Sequence, residues 1–242
     1  MAKIKLVVSA TIEETFSDFI ISRKTKGLAE KTLQSYQSQF QAVARHMDVK
    51  MDIAMLQKAD LDAMIISMRD ASLSPNSINS YTRTLKSFFS WCNEQGITRL
   101  NIPLYKAEET VKETYSDAEL AALLKKPDIR KATFAEYRDW VIINFSLNCG
   151  SRAATVRAIQ IRDVDLDGGM VFYRHTKNRK AQVIPLCSAM VAILREYLRH
   201  RGGEAADYLF CTETGSQLTE NGLRQSIARY NTRRGVQKTS IH

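Results

Sequence analysis

Helix-boundary signals crowd the first 96 residues, and the stretch reads almost wholly helical. Thr11-x-x-Glu14 is a capping box, in which a hydroxyl and a carboxylate satisfy backbone N–H groups that the first helical turn leaves without partners. It opens a helix with Phe16, Phe19 and Ile20 on one face. Gly27 separates this from a second helix, Ala29 to about Met47, with Leu33, Phe40 and Val43 inward. "KADLDAMIISM" gives a third, and Ser74-Pro75, a cap followed by a first-turn proline, opens a fourth that ends at Gly96. A block of this kind can bury its apolar stripes only by packing helix on helix.

Residues 97–115, "ITRLNIPLYKAEETVKETY", show no sustained periodicity and contain Pro103, so they read as a linker. Beyond them the pattern changes. Ser116-x-x-Glu119 caps a helix that stops before Pro127, and a long helical pattern from about Thr133 to Leu147 ends in the turn Asn148-Cys149-Gly150. "GMVFYRH" and "AQVIPLC" are rich in β-branched and aromatic residues and read as paired strands. Two further helices, "SAMVAILREYLRHRG" and "TENGLRQSIARYNTRRG", are each closed by glycine. The expected fold class is mainly α: a helical domain over residues 1–96, a linker over 97–115, and a mixed α+β domain over 116–242 with a small antiparallel sheet.

Two helix starts are alike. "LAEKTLQSY" (Leu28–Tyr36) and "LSPNSINSY" (Leu73–Tyr81) share one pattern, which is either a duplicated helical hairpin or coincidence in a short window. Their polar faces carry Lys31, Gln34 and Ser35, and Asn79, Arg83 and Lys86. These are candidates to meet DNA, or simply solvated helix faces.

Charge narrows the partner. The net charge is +9, and it is uneven: 14 Lys and Arg stand against 12 Asp and Glu in residues 1–110, and 21 against 14 in the rest. Such an excess points to a polyanionic partner such as nucleic acid, or to a basic protein without one. Cys92, Cys149, Cys187 and Cys211 lie far apart with no C-x-x-C pair and no histidine at ligand spacing, which argues against zinc and against a disulfide framework. No metal or cofactor is expected. No apolar run reaches membrane-spanning length, so the expectation is a cytoplasmic protein with no membrane partner.

The second block holds the residues suited to phosphate chemistry. "RHTKNRK" places Arg174, Lys177, Arg179 and Lys180 on one tight connection between strands, with no acid among them. A rigid hairpin would project these cations into a nucleic-acid groove, whereas a solvated tip would merely carry charge. Arg152 follows a glycine turn, where it is either a surface ion-pair residue or a bidentate guanidinium for a phosphate whose charge rises in a transition state.

Taken in order, G-x-R, a helix, "IRDVDL", a strand, the lysine hairpin, "VIPL", a helix, "YLF", "TENGLR…I" and "TSIH" resemble the tyrosine recombinase, or phage integrase, family. "YSDAELAALL" is similar to the start of that family's catalytic domain. The resemblance spans essentially the whole chain, and implies a SAM-like core-binding domain followed by a catalytic domain that is incomplete at its C-terminal end. By position, Arg152 falls on the family's first catalytic arginine, Lys177 on its hairpin lysine, Lys180 on the second lysine of that motif, and His242 on the histidine of H-x-x-R. Ser151 and Ala153 replace apolar residues beside the arginine, and Thr155 stands where a carboxylate is usual. The second arginine, the second histidine or tryptophan, and the nucleophilic tyrosine would follow His242.

The resemblance implies site-specific recombination, whether integration, excision or dimer resolution, by a bacterial, phage or mobile-element protein. A tyrosine attacks the scissile phosphate, leaving a 3′-phosphotyrosyl link and a free 5′-hydroxyl. Two arginines stabilise the phosphorane and the lysine protonates the leaving oxygen, with no metal. Tyr173, Tyr197, Tyr208 and Tyr230 sit in packing patterns and are not expected to be that nucleophile. The expectation is therefore a chain that clamps duplex DNA without cutting it, a monomer free in solution, and a tetramer on DNA when full length. The alternatives are a natural non-catalytic DNA-binding relative and a helical RNA-binding or regulatory protein.

Overall fold

A computed structural model describes residues 10–105, 114–174 and 180–238. The chain divides into two compact units, residues 1–111 and 112–242.

The first unit is built from four helices among the described residues: α1 (Ile12–Thr25), α2 (Glu30–Val43), α3 (Lys58–Asp70) and α4 (Pro75–Glu94). Both expected caps form. Glu14 N–H donates to the Thr11 hydroxyl at 3.1 Å while Thr11 N–H donates to the Glu14 carboxylate at 2.8 Å, and Ser74 caps α4 directly before Pro75. The helices close on an aromatic centre, with Phe16 stacked on Phe40 and Phe19 and Phe88 meeting edge to face. Such pairs add about 0.5–1.5 kcal/mol each beyond the burial of their area. The second helix is shorter than its pattern suggested, ending at Val43.

Residues 97–105 differ from a bare linker. Ile102 is fully buried in the core of the first unit, and Leu100 and Tyr105 pack beside it. Asn79 explains how the segment is held. Its amide donates to the Tyr105 carbonyl at 2.9 Å, and the residue is buried.

The two similar helix starts are entered through equivalent turns. Gly27 N–H bonds to the Lys24 carbonyl and Leu28 N–H to that of Arg23; Ser72 N–H bonds to Arg69 and Leu73 N–H to Met68 in the same way. Both turns use a left-handed residue, Gly27 at φ 75° and Ser72 at φ 57°. A side chain in that conformation carries steric strain that glycine lacks. Ser72→Gly is accordingly expected to stabilise the first unit by about 0.5–1 kcal/mol, read from the urea midpoint; a lower midpoint would contradict it.

The second unit is organised around α6 (Phe134–Cys149), in which every residue from Tyr137 to Ile143 is buried. A helix apolar on nearly all sides must be central, and α5 (Asp117–Leu124), α8 (Ser188–Arg201) and α9 (Glu220–Arg233) pack on it. α7 (Ala153–Ala158) is a short helix beside α9. The sheet is antiparallel in the order β1 (Val164–Asp165), β2 (Met170–Tyr173), β3 (Gln182–Pro185), with Phe172 opposite Val183 and Tyr173 opposite Gln182. The fold is thus mainly α, a helical unit followed by a mixed unit with one small sheet. Among the described residues no helix is long and apolar enough to cross a membrane.

Candidate functional site

α6 ends at Gly150, whose left-handed φ of 58° turns the chain sharply into Ser151 and Arg152. Arg152 then caps α7 through its backbone, its carbonyl accepting from Thr155 N–H at 2.9 Å and Val156 N–H at 3.0 Å. With its backbone fixed, the side chain is left exposed. It makes no hydrogen bond or ion pair among the described residues.

The preceding residue ties this turn to the sheet. Ser151 is buried, and its hydroxyl is hydrogen-bonded to that of Tyr173, the last residue of β2. Arg174 comes next and is the first residue of the basic connection. The turn that carries Arg152 and the root of the hairpin are therefore held together through one hydroxyl pair. Burial pushes the Tyr173 hydroxyl to a much higher pKa than usual, with Ser151 opposing in part, so the phenol stays protonated and keeps its hydrogen bond.

Arg174 departs from the expectation of a cation reserved for phosphate. Its exposed side chain is ion-paired with the buried carboxylate of Asp163, just before β1. Thr155, Asp163, Tyr173 and Arg174 line one small cavity. Thr155 supplies no acid, and Asp163 places a carboxylate on the same wall. Lys180, on the far side of the connection, is exposed. Lys177, Arg179 and His242 lie outside the described residues.

In the first unit the predicted residues separate. Lys31, Arg83 and Lys86 are exposed. Ser35 is half-buried, and its hydroxyl accepts from the Gln39 amide at 3.1 Å, which also reaches Ser80 at 3.0 Å across the α2–α4 contact. Asn79 corrects the sequence reading: it points inward to Tyr105 and is not part of an exposed polar face. It flanks the inward stripe of α4, and its partner lies in the segment read as a linker.

A family model described as "Phage integrase family" matches residues 114–242. The chain belongs to the phage integrase family. A second model, "Phage integrase, N-terminal SAM-like domain", matches residues 15–96. The chain is 25% identical over 193 residues to "Tyrosine recombinase XerC" of Xanthomonas campestris pv. campestris, a match covering 77% of this chain and 58% of that protein. The chain thus spans a little over half the length of that relative. "Tyrosine recombinase XerD" of Staphylococcus haemolyticus is 25% identical over 240 residues, 95% of this chain and 80% of that protein.

Among solved structures, the lambda integrase tetramer bound to a Holliday junction superposes with a TM-score of 0.76 at 16% identity, covering 97% of this chain and 66% of that one. The Tn1549 transposon integrase in complex with transposon right end DNA gives 0.77 at 16% identity, with 92% and 79% covered. At that identity the likeness establishes the fold, and for this phage integrase chain it agrees with the two family models.

Position alone did not reveal Tyr173 as the partner of Ser151, although both residues bracket the motif. The remaining tyrosines also have structural roles. Tyr197 and Tyr230 are buried and donate to the carbonyls of Leu209 and Leu123 at 3.1 and 2.9 Å. None of the nine tyrosines is exposed.

Proposed function

We propose that the chain binds duplex DNA as part of a site-specific recombinase that cleaves and rejoins strands through a 3′-phosphotyrosyl intermediate. The observation that carries this reading is the placement of Arg152, an exposed guanidinium with no partner among the described residues, at the root of the basic hairpin through Ser151 and Tyr173. Arg152 would grip the scissile phosphate by two parallel N–H donors and stabilise the added charge of the phosphorane. Lys177 would deliver the proton to the leaving 5′-oxygen, and His242 would contribute a further donor to the same phosphate. Arg179 and Lys180 would hold the flanking backbone, with Arg174 after exchange from Asp163. The bond energy stays in the phosphotyrosyl ester, so rejoining needs no nucleotide.

The tyrosines of the chain are buried or half-buried, and the described hydroxyls of Tyr173, Tyr197 and Tyr230 are engaged in packing. This reading places the attacking tyrosine outside the nine. Assembly as a tetramer across two duplexes, and work on DNA in a bacterial cytoplasm, complete the proposal.

A binding titration on duplex DNA, paired with a trapping assay on nicked duplex, tests it. The 242-residue chain is expected to bind without forming a covalent adduct. Arg152→Ala is expected to weaken binding roughly 10-fold, the loss of one charge-assisted contact. Failure to bind duplex at low salt would refute DNA as the partner. A covalent adduct on this chain would refute the exclusion of its tyrosines.

A further inference from the structure

We propose that a cleft in the first unit, at the junction of α1, α2 and α4, is a pocket for a single backbone phosphate of duplex DNA, with Arg23 as its anchoring residue. The inference rests on the reading of DNA as the partner, and adds a site away from the Arg152 turn.

The cleft has a volume of about 420 Å³, and its walls include Arg23, Tyr36, Arg83, Lys86, Ser87 and Ser90. No carboxylate lines it. Three cations thus converge with no anion among them, and none of the three makes an ion pair or side-chain hydrogen bond among the described residues. Converging like charges repel, and the repulsion is relieved only when an anion enters. Several basic residues of the second unit are instead matched to acids, as Arg138 is to Asp139, Arg174 to Asp163 and Lys126 to Glu196.

Arg23 is more than a surface charge. Its guanidinium carbon sits 4.9 Å from the centre of the Phe19 ring, and Phe19 is fully buried in the aromatic core. Stacking on a fixed ring orients the guanidinium plane before any ligand arrives. Its Nε is buried and has no hydrogen-bond partner, which leaves the side chain's polar end incompletely satisfied within the protein.

α4 supplies the opposite wall. Arg83, Ser87 and Ser90 are spaced four and three residues apart and share one helical stripe, with Lys86 alongside. The Tyr36 hydroxyl lies 3.5 Å from Ser87 Oγ, so hydroxyl donors accompany the cations. A guanidinium, an ammonium and hydroxyls around one small volume match a tetrahedral oxyanion that takes several donors at once. The cleft is open to solvent on the face where Arg83 and Lys86 are exposed, so a phosphate carried on a polymer can reach it. The contact would fix the register of the first unit on the duplex and carry no base sequence.

Duplex titrations at a series of salt concentrations test the pocket with the whole chain. Variants Arg23→Gln and the triple R23Q/R83Q/K86Q are compared with a control, K24Q/K26Q, whose lysines are exposed and outside the cleft. Because one phosphate releases about 0.9 of a counterion, the triple variant should lower the salt slope by roughly one unit and the affinity about 10-fold at 0.1 M salt. Arg23→Lys should lose affinity with little change of slope, since charge remains and the fork is lost. A fall of about three units would show three separate phosphates, and no fall would show none; either overturns the pocket.

If Arg23 variants do not fold, R83Q/K86Q on the exposed stripe gives the same reading. Saturable binding of inorganic phosphate that is lost in Arg23→Gln, with the duplex slope unaffected, would assign the cleft to free phosphate and overturn the DNA assignment. A wild-type chain that does not bind duplex refutes the functional reading itself. Wild-type binding with unaltered variants refutes only the cleft.

Discussion

Replacing Asp139 by alanine is expected to cost the second unit about 3–5 kcal/mol. The residue forms the centre of a buried network on α6. Arg138 donates to Asp139 Oδ1 through Nη2 at 2.7 Å and Nε at 3.0 Å, to the Cys211 carbonyl at 2.9 Å, and to Ser226 Oγ at 2.7 Å. Ser226 in turn donates to the second oxygen of Asp139. Burial holds the Asp139 carboxyl above the usual carboxylate range, with Arg138 and Ser226 opposing that shift. Desolvation of a buried pair offsets much of its attraction, so the larger loss is expected from removing one partner rather than both. Alanine at 139 would leave the Arg138 guanidinium charged, buried and without its counterion. The double variant R138M/D139L removes both charges and should lose less than Asp139→Ala alone. The chain has two tryptophans, Trp91 in the first unit and Trp140 in the second. In a Trp91→Phe background, urea unfolding followed by Trp140 fluorescence reads the second unit alone. A loss below about 1 kcal/mol for Asp139→Ala, or a larger loss for the double variant, would refute this account.

Affinity for duplex DNA is expected to fall by roughly 10³-fold or more between 50 and 200 mM salt. The cations expected to meet phosphate are Lys31 and the Arg23, Arg83 and Lys86 cleft, which counts as one phosphate, in the first unit, and Arg152, Arg174, Lys177, Arg179 and Lys180 in the second. If six or more phosphates are neutralised in this way, the slope of log affinity against log salt should be about −5 or steeper. Arg174 would contribute less, because binding must first separate it from Asp163. A loss smaller than about 10-fold over that range would show that these charges are solvated and not engaged with the backbone. Titration of one duplex by fluorescence anisotropy at five salt concentrations gives the slope directly.

The caps and the glycine stops were legible because they are local. Thr11, Ser74, Ser116, Gly96 and Gly202 act on backbone groups within a turn of themselves, and the structure uses each of them at a helix boundary. The strands at 170–173 and 182–185 were legible from β-branched and aromatic residues. β1 was not, since two residues show no alternation. The misreadings share another cause, which is partners distant in sequence. Asn79 looked like a polar-face residue because its carbonyl partner Tyr105 lay in a stretch without periodicity. Arg174 looked like a free loop cation because Asp163 belongs to an earlier element. The Arg138–Asp139–Ser226 network was invisible for the same reason, with Ser226 87 positions from Asp139. At the candidate site, residue types and order marked Arg152 and the hairpin, and only three-dimensional placement showed Ser151 and Tyr173 between them.

That hydroxyl pair has a consequence for how the site tolerates change. The position of Arg152 is inherited from β2, since the Gly150 turn is pinned at Ser151 and the pin is the last residue of a strand. Substitutions that shift the strand, even on its exposed outer face at Met170 or Phe172, are therefore expected to be felt at a guanidinium they do not touch. Changes in this sheet are thus expected to reach the arginine through one contact, so selection on the cation also bears on the packing of the sheet beside it.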